Sequence, residues 1–456
     1  MKKITYLMMI AVLGTISVSN AQAQNQECMT NLSIFSEHVK VKNYDAAYEP
    51  WKMVYETCPT LHRATYAYGD RILKDKIKNA TGVEKTAFIE DLFAMYDNSV
   101  THFAKRYSKE SVAIRKAMVM HGEKMGTDDE YYKFLHMAFM GDRDNFTSPR
   151  ALYLYFSSLV NLHNAGSKDL QSVFDCYDDA TERIEVENKK LLDVISKLQP
   201  KEEAGTLTSK ETRALKRATT NSESFGKIAG SIDTKLGELA ECENLIPLYQ
   251  KSYEAKKNDI TWVKRAVGRM YSKECTEDPM FVKLVEAQNA LDQSADSEFY
   301  LGILKQKVGD TRGAVAHFNK SVELESDNYK KSNILYKIAF MYRRGSKSTA
   351  RNYAQKAINA NPSNGKAYLM IANLYASSAN QCGSTAFEKR AMYWKAANMA
   401  RKAGRVDPSL RGRANKTAAS YIGRAPDKTM IFNNDMAGKT VTFNCWVGGS
   451  VKVPNL

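Results

Sequence analysis

The residues best suited to chemistry, histidine and cysteine, form no familiar catalytic or metal-binding pattern. The histidines occur singly, and none lies in H-E-x-x-H or is spaced to share a metal ion on one helix face. They are His38, His62, His102, His121, His136, His163 and His317. The sequence also has no P-loop, no G-x-S-x-G and no G-x-G-x-x-G that opens a helix. We therefore expect no catalytic residue, metal ligand or cofactor, and the sequence favours a protein that is not an enzyme.

The cysteines instead predict disulfide bridges. Two expected helix pairs are each flanked by cysteines, and an antiparallel pair brings its two ends together, so a bridge across each is geometrically natural. Two further cysteines, one in a repeat insertion and one near the C-terminus, remain as a third couple. The predicted bridges are Cys28–Cys58, Cys242–Cys275 and Cys382–Cys445. Closing a loop of ~30 residues stabilises a fold by roughly 3 kcal/mol in the chain-entropy model.

The seventh cysteine, Cys176, has no partner in this scheme. It lies among Val173, Phe174 and Tyr177, which predicts a buried free thiol. Zinc binding is not favoured, because the sequence has no C-x-x-C and no Cys/His cluster.

The N-terminus predicts the oxidising compartment that such bridges require. Lys2 and Lys3 precede an apolar run from Ile4 to Val18, and Ala21-Gln22-Ala23 fits a signal-peptidase site. The apolar run is shorter than the ~20 residues needed to span a bilayer. We therefore predict export with a mature start at Gln24. The expected location is periplasmic or outer-membrane-associated rather than fully extracellular, and not transmembrane.

The rest of the chain must supply the elements that position these residues, and its pattern is helical. The 456 residues are 43% hydrophobic and 26% charged, which is typical of a globular protein, and only 10 prolines disfavour an all-β fold. Between residues 295 and 408, small residues recur with a period near 34, the tetratricopeptide spacing. The first unit shows Gly302, Ala314 and Phe318. The offsets from Ala47 to Pro59 match those from Ala350 to Pro362.

These patterns predict an all-α, tetratricopeptide-like α-solenoid of antiparallel helix pairs with a small C-terminal β-hairpin cap. Lys428 to Phe432 and Thr440 to Val447 are interpreted as the short alternating β-like runs of that cap. The predicted organisation is a signal peptide over 1–23, helical repeats over 24–180, long helices with a polar hairpin over 181–240, C-terminal repeats over 241–408, and a capping helix with the β-hairpin over 409–456.

Three sequence features together resemble a known group of proteins. They are the Ala-rich repeats with cysteine-flanked helix pairs, the segment Arg390 to Ala397, and the ending Val441 to Val453 with Cys445-Trp446-Val447 at its centre. In these features the chain resembles the exported tetratricopeptide-repeat proteins of Bacteroidota. The resemblance implies an α-solenoid in the cell envelope and brings no catalytic residue. It does not supply a partner, since repeat folds host many functions.

Charge is distributed unevenly along the chain. The whole protein carries +15, but residues 330–456 contain 22 Lys and Arg against four acidic residues and carry +18. Once Lys2 and Lys3 are removed with the predicted signal peptide, residues 24–329 carry −5. A solvated basic face is one interpretation, and attraction of this end toward anionic partners is the other.

The first helices of the clear repeats are expected to line a groove that binds partners. Projection of these helices places six side chains on it: Asn333, Tyr336, Arg343, Arg344, Lys366 and Asn373. The two arginines suit a carboxylate or phosphate, or they serve to complement the dipole at the end of their helix.

Two functions follow from the sequence. One is a non-enzymatic scaffold that binds protein partners in the cell envelope through this groove. The alternative is a module that uses the basic C-terminal region to bind an anionic envelope surface, such as lipopolysaccharide, phospholipid or acidic polysaccharide. The predicted location disfavours nucleic acid as a partner.

Overall fold

A computed structural model describes residues 25–456. The predicted signal peptide and its cleavage site lie outside the described residues. The chain divides into two compact units, one ending at Phe146 and one spanning Thr147–Leu456, and each is described by itself.

The first unit is a succession of helices in which α2 to α6 each pack on the next along the chain. Its buried core is rich in large side chains, including Phe35, Trp51, Tyr66 and Tyr96. The helices are α1 (25–40), α2 (Tyr44–Thr57), α3 (Ala64–Asn79), α4 (Gly82–His102), α5 (Lys109–Gly122) and α6 (Asp128–Gly141), followed by the 3₁₀ turn Arg143–Asn145.

The second unit is also helical and ends in a two-stranded sheet. Its helices are α7 (Pro149–Asn164), α8 (Leu170–Glu203), α9 (Ser209–Leu236), α10 (Cys242–Lys256), α11 (Ile260–Ser272), α12 (Pro279–Leu291), α13 (Ala295–Lys307), α14 (Thr311–Leu324), α15 (Asn328–Tyr342), α16 (Lys347–Ala360), α17 (Gly365–Ala376), α18 (Ala386–Val406), α19 (Arg411–Ile422) and α20 (Lys428–Asn433). Short 3₁₀ turns occupy Gly237–Ala240, Ala379–Gln381 and Pro408–Leu410, and the strands are β1 (Thr440–Thr442) and β2 (Ser450–Lys452).

From α10 to α19 each helix packs on the next, which is the arrangement of an α-solenoid. Small residues allow the close approach. A Cβ added at Gly302 in α13 would lie 2.4 Å from the ring of Phe318 in α14, a ring that is fully buried. Alanines fill the same role between α15 and α16, where Ala339, Ala350 and Ala357 have no exposed surface. The predicted fold class, an all-α tetratricopeptide-like solenoid with a small β-hairpin, is confirmed.

Helices α8 and α9 form a long hairpin that leaves this succession. They turn over at residues 204–208, where Gly205 has the positive φ of +68° that a glycine adopts without strain. At its base the hairpin packs against α7, and along its length it meets α18 and the 3₁₀ turn Pro408–Leu410. Most of residues 201–221 is helical, on both sides of this turn.

The C-terminal tail differs from its prediction in both runs, and of Thr440 to Val447 only Thr440–Thr442 is a strand. Lys428–Asn433 is a helix rather than a β-like run, because the Asp427 side chain accepts a hydrogen bond from the Met430 amide at 2.8 Å and caps it. The β-hairpin pairs β1 with β2 instead, with Val441 opposite Val451. Gly448 and Gly449, both with positive φ, lie in the connection between the strands.

The three predicted disulfides are present as Cys28–Cys58, Cys242–Cys275 and Cys382–Cys445. Cys28 lies inside α1, whereas the sequence placed it before the first helix. Cys176 is free and buried, and burial raises the pKa of its thiol. The thiol is therefore protonated and shielded at neutral pH.

Replacing Cys382 and Cys445 by serine should lower the free energy of unfolding of the second unit by about 4 kcal/mol, because this bridge closes the longest loop of the three. The measurement is the urea midpoint of the variant against wild type. Replacing Cys176 by serine is the control. Because Cys176 forms no bridge, this variant should lower the urea midpoint less than the loss of the Cys382–Cys445 bridge does. Equal midpoints for the disulfide variant and wild type would show that the bridge does not constrain the unfolded chain.

Candidate functional site

Helices α15, α17 and α19 share one face of the second unit, which we call the groove. An open pocket of about 510 Å³ lies on it, and we call this the basic pocket. Its lining combines an apolar floor with polar and basic side chains. The lining residues are Tyr336, Phe340, Arg343, Lys366, Leu369, Met370, Asn373, Leu374, Ser377, Leu410 and Arg413.

Helix periodicity explains how this pocket forms. Leu369 and Met370 are adjacent on α17, Leu374 lies about one helical turn further on, and all three are almost completely buried, which makes the floor apolar. Lys366 and Asn373 occupy the exposed positions of the same helix at i−3 and i+4 relative to Leu369. The floor therefore supplies hydrophobic contact while the edges supply polar groups.

The basic pocket has an excess of positive charge. Its lining contains Arg343, Lys366 and Arg413, and no carboxylate side chain. Burial raises the pKa of the Tyr336 hydroxyl, while the guanidiniums of Arg413 and Arg343 act in the opposite direction. The hydroxyl therefore stays protonated and lies in a positive field, where it can donate a hydrogen bond to an anionic group.

The three basic side chains differ in how tightly they are held. Arg343 donates to the Phe340 carbonyl at 2.8 Å, pairs with Glu274 at 3.1 Å and has its guanidinium 3.4 Å from the centroid of the Phe340 ring. Lys366 and Arg413 are exposed, and within residues 25–456 neither has a carboxylate oxygen within 4.0 Å of its charged nitrogens. A ligand would therefore meet one pre-positioned guanidinium and two exposed cations that form no ion pair within the described chain.

A second, larger cavity of about 1130 Å³ adjoins the basic pocket and shares Lys366, Leu410 and Arg413 with it. The α8–α9 hairpin forms its other wall, so we call it the covered cavity. Its lining carries both charge signs, with Glu185, Glu223 and Asp407 among the acids. Burial raises the pKa of Asp407, although hydrogen bonds from Ser409 and the charge of Lys366 oppose that shift.

The structure places the six side chains of the predicted groove in three different settings. Tyr336, Arg343, Lys366 and Asn373 line the basic pocket. Asn333 and Lys366 line the covered cavity, where the Asn333 amide lies 3.5 Å from Glu185.

Arg344 lies outside both cavities, and Asn373 already has a hydrogen-bond partner within the fold. Arg344 is exposed and lines neither the basic pocket nor the covered cavity. Asn373 accepts a hydrogen bond from the Tyr421 hydroxyl of α19, so part of its capacity is used within the fold.

The sequence did not single out Leu410 and Arg413, which complete the basic pocket. They follow the last clear repeat, in a turn and helix that continue the stacking of first helices. The signal that could have located them is Asp407-Pro408, which ends α18 as Asn361-Pro362 ends α16. The helix after such a break occupies the position of a first helix.

The hairpin is anchored at its base by a buried ionic group. Arg269 of α11 is only 5% exposed and donates to the Asp178 carboxylate, the Tyr249 hydroxyl and, at 3.2 Å, the Phe174 carbonyl. Next to it, Arg265 donates to Asp179 at 2.8 Å and to Glu182 at 2.9 Å. These contacts tie α8 to α10 and α11.

The described part of the chain contains neither a cluster suited to a metal ion nor a helix suited to a membrane. Among residues 25–456, no group of three or more His, Cys, Asp or Glu side chains is placed to hold a metal ion. None of the helices in that same part of the chain combines the length and the apolar character needed to cross a bilayer.

Comparisons with known proteins bear on the architecture alone. No protein-family model matches the sequence, and no curated protein matches it. Among solved structures, a tetratricopeptide repeat protein from Parabacteroides merdae is similar at 10% identity, with 68% of this chain and 97% of that chain covered and a TM-score of 0.25.

Two eukaryotic structures are similar at a comparable level. Yeast Tom70 has 11% identity over 90% of this chain and 99% of that chain, with a TM-score of 0.26. A human IFIT1 dimer with m7Gppp-AAAA has 12% identity over 87% of this chain and 90% of that chain, with a TM-score of 0.26. At these identities and scores none of the three brings a residue role or a ligand to this chain.

Replacing Arg269 by Met should lower the free energy of unfolding of the second unit by about 3 kcal/mol, because the buried Asp178 loses its closest charge partner and retains only Arg265, at 3.8 Å. The measurement is urea denaturation followed by circular dichroism. Arg265→Met is the matched control and should cost less, since Glu182 is about half exposed and water replaces its partner. Equal losses for the two variants would contradict the anchoring role of Arg269.

Proposed function

We propose that the protein is a non-enzymatic scaffold of the cell envelope that binds a segment of a partner protein in the groove. One observation carries this proposal: three basic side chains surround an apolar floor in a pocket without a carboxylate in its lining. Such a surface fits a peptide that carries both apolar and acidic side chains. The apolar side chains supply affinity by leaving water, and the acidic ones supply specificity.

The location in the envelope rests on two further features. Three disulfides are typical of proteins that fold in an oxidising compartment. The N-terminal sequence has the pattern of a cleaved signal peptide. Together they favour an exported protein that is periplasmic or associated with the outer membrane.

The alternative, an anionic surface as the partner, is favoured by the +18 charge of residues 330–456. Here the attraction depends on the summed charge of the region and not on the basic pocket. Binding in the groove therefore depends on where the basic residues lie, whereas binding to an anionic surface depends only on how many there are.

The first test reverses the charge of the two exposed cations of the basic pocket with the double variant Lys366→Glu, Arg413→Glu. This variant should bind an acidic and apolar peptide roughly tenfold more weakly or worse, because like charges then face the peptide. The probe is a fluorescein-labelled dodecapeptide of alternating glutamate and leucine, and the measurement is fluorescence anisotropy. Binding should also weaken as salt is added, since both cations are exposed.

The control for this experiment is Arg344→Glu with Arg401→Glu, which makes the same change of net charge outside both cavities. Groove binding predicts less than a twofold effect for the control pair. Vesicles of phosphatidylglycerol are tested in parallel. If both double variants lose vesicle binding equally and neither loses peptide binding, the anionic surface is the partner and the groove assignment is wrong.

A further inference from the structure

The groove is already covered in part by another segment of the same chain. Residues 185–226, the outer part of the α8–α9 hairpin, contact the turn at Pro408–Leu410 and line the covered cavity opposite residues of α15, α17 and α19, and we call this segment the arm. Since the arm ends at residue 226 and α15 begins at Asn328, this is a tertiary contact rather than a neighbour contact of the solenoid.

The arm contacts the repeats through two ion pairs and through Tyr329, which packs on the apolar cluster around Leu192. Lys189 of α8 pairs with Asp327 at 2.7 Å, and both side chains keep more than a third of their surface exposed. Glu223 of α9 pairs with Arg411, also at a partly exposed position. Ion pairs in this setting contribute up to about 1 kcal/mol each and are screened by salt.

Open clefts lie between the arm and the repeats. Besides the covered cavity, clefts of about 280 Å³ and 590 Å³ lie between the arm and α15 and between the arm and the region of Arg405 and Arg411. The arm interface therefore has the character of a transient interface, which is polar and permits relative motion.

One contact in this interface is close and specific. Gly226 of α9 lies against the backbone of Ser409, and a Cβ added there would come within 1.9 Å of the Ser409 carbonyl oxygen. Only a helix that carries a glycine at this position can dock so closely. Glu223 precedes it by three residues and lies on the same face, where it reaches Arg411.

The base of the hairpin is held in a different way. Arg269 and Asp178 fix α8 to α11 in a buried network, and the Tyr177 hydroxyl donates to Asp233 of α9 at 2.9 Å. Breaking a buried ion pair is costly, whereas releasing partly exposed pairs is not. The arm can therefore leave the groove while the base of the hairpin stays in place.

We infer that the groove is a helix-docking surface, occupied in the free protein by the chain's own arm, and that a partner docks there as an α-helix presenting an acidic residue three positions before a glycine. This deepens the proposed function, on which it rests, because it names the form in which a partner binds and the segment that it displaces. The affinity that a partner helix shows is then reduced by the fraction of molecules whose arm is in place.

The test uses a labelled synthetic peptide of residues 209–236, the sequence of α9, added to the full chain. Its net charge is +3, so attraction to the basic end of the protein does not explain its binding. Gly226→Ala in the protein should push its own arm off Ser409 and raise the affinity for the peptide at least tenfold over wild type, measured by fluorescence anisotropy.

The matched control is Gly230→Ala, one helical turn further along α9, where an added Cβ meets nothing within 4 Å. This variant gains the same helix propensity and should bind the peptide as wild type does. The same two substitutions are also made, one at a time, in the peptide. The Gly226→Ala peptide should fail to bind the Gly226→Ala protein, whereas the Gly230→Ala peptide should bind it.

Equal affinity of the peptide for the Gly226→Ala and Gly230→Ala proteins, or no binding to either, would overturn the inference. Glu223→Lys, which opposes Arg411, provides a second way to release the arm and should act like Gly226→Ala. Should both variants fail to fold, hydrogen exchange on the wild type decides: amides of residues 185–226 must exchange faster as salt is raised, while those of residues 170–184 must not.

This outcome is separate from that of the proposed function. The peptide of residues 209–236 reports on displacement of the arm, and the alternating glutamate and leucine peptide reports on the basic pocket. Loss of the second signal with retention of the first would leave helix docking standing and remove acidic recognition.

Discussion

The buried guanidinium of Arg269 is the constraint on which the arrangement of the second unit depends. It uses three acceptors on α8 and α10 at once, and its partner Asp178 is itself buried. Because this contact fixes the direction in which α8 leaves the solenoid, it decides where the arm, which begins at residue 185, lies further along the helix. The covered cavity and the shape of the groove both follow from that direction.

The contrast between base and arm reflects two uses of charge in one hairpin. At the base, the charges of Arg269 and Asp178 are buried and paired, so they favour a single geometry at a high cost of disruption. Along the arm, the charges remain partly solvated and lie beside open clefts. Their ion pairs therefore orient the arm on the repeats but contribute little to the stability of that contact. A chain with this gradient can keep its fold and still rearrange locally at the groove.

The sequence was informative wherever a contact is local. Gly302 and Phe318 lie sixteen residues apart in one repeat, and cysteines flanking a helix pair report a geometry that the pair itself sets, so the fold class and two of the disulfides could be predicted. The third, Cys382–Cys445, was predicted only as the couple that remained. Gly226 and Ser409 are far apart in the chain, and nothing in the local pattern of α9 marks one of its glycines as a contact. Arg413 was missed for the same reason, since its place in the basic pocket depends on how α19 stacks on α17.

The Cys382–Cys445 bridge has a consequence for how the groove can change shape. It closes a covalent loop that contains α18 and α19, and therefore one wall of the basic pocket. A solenoid is held by neighbour contacts and tends to unravel from its ends. With its last helices tied into a ring, this end resists fraying, so a conformational change at the groove is directed into movement of the arm and away from loss of the terminal repeat.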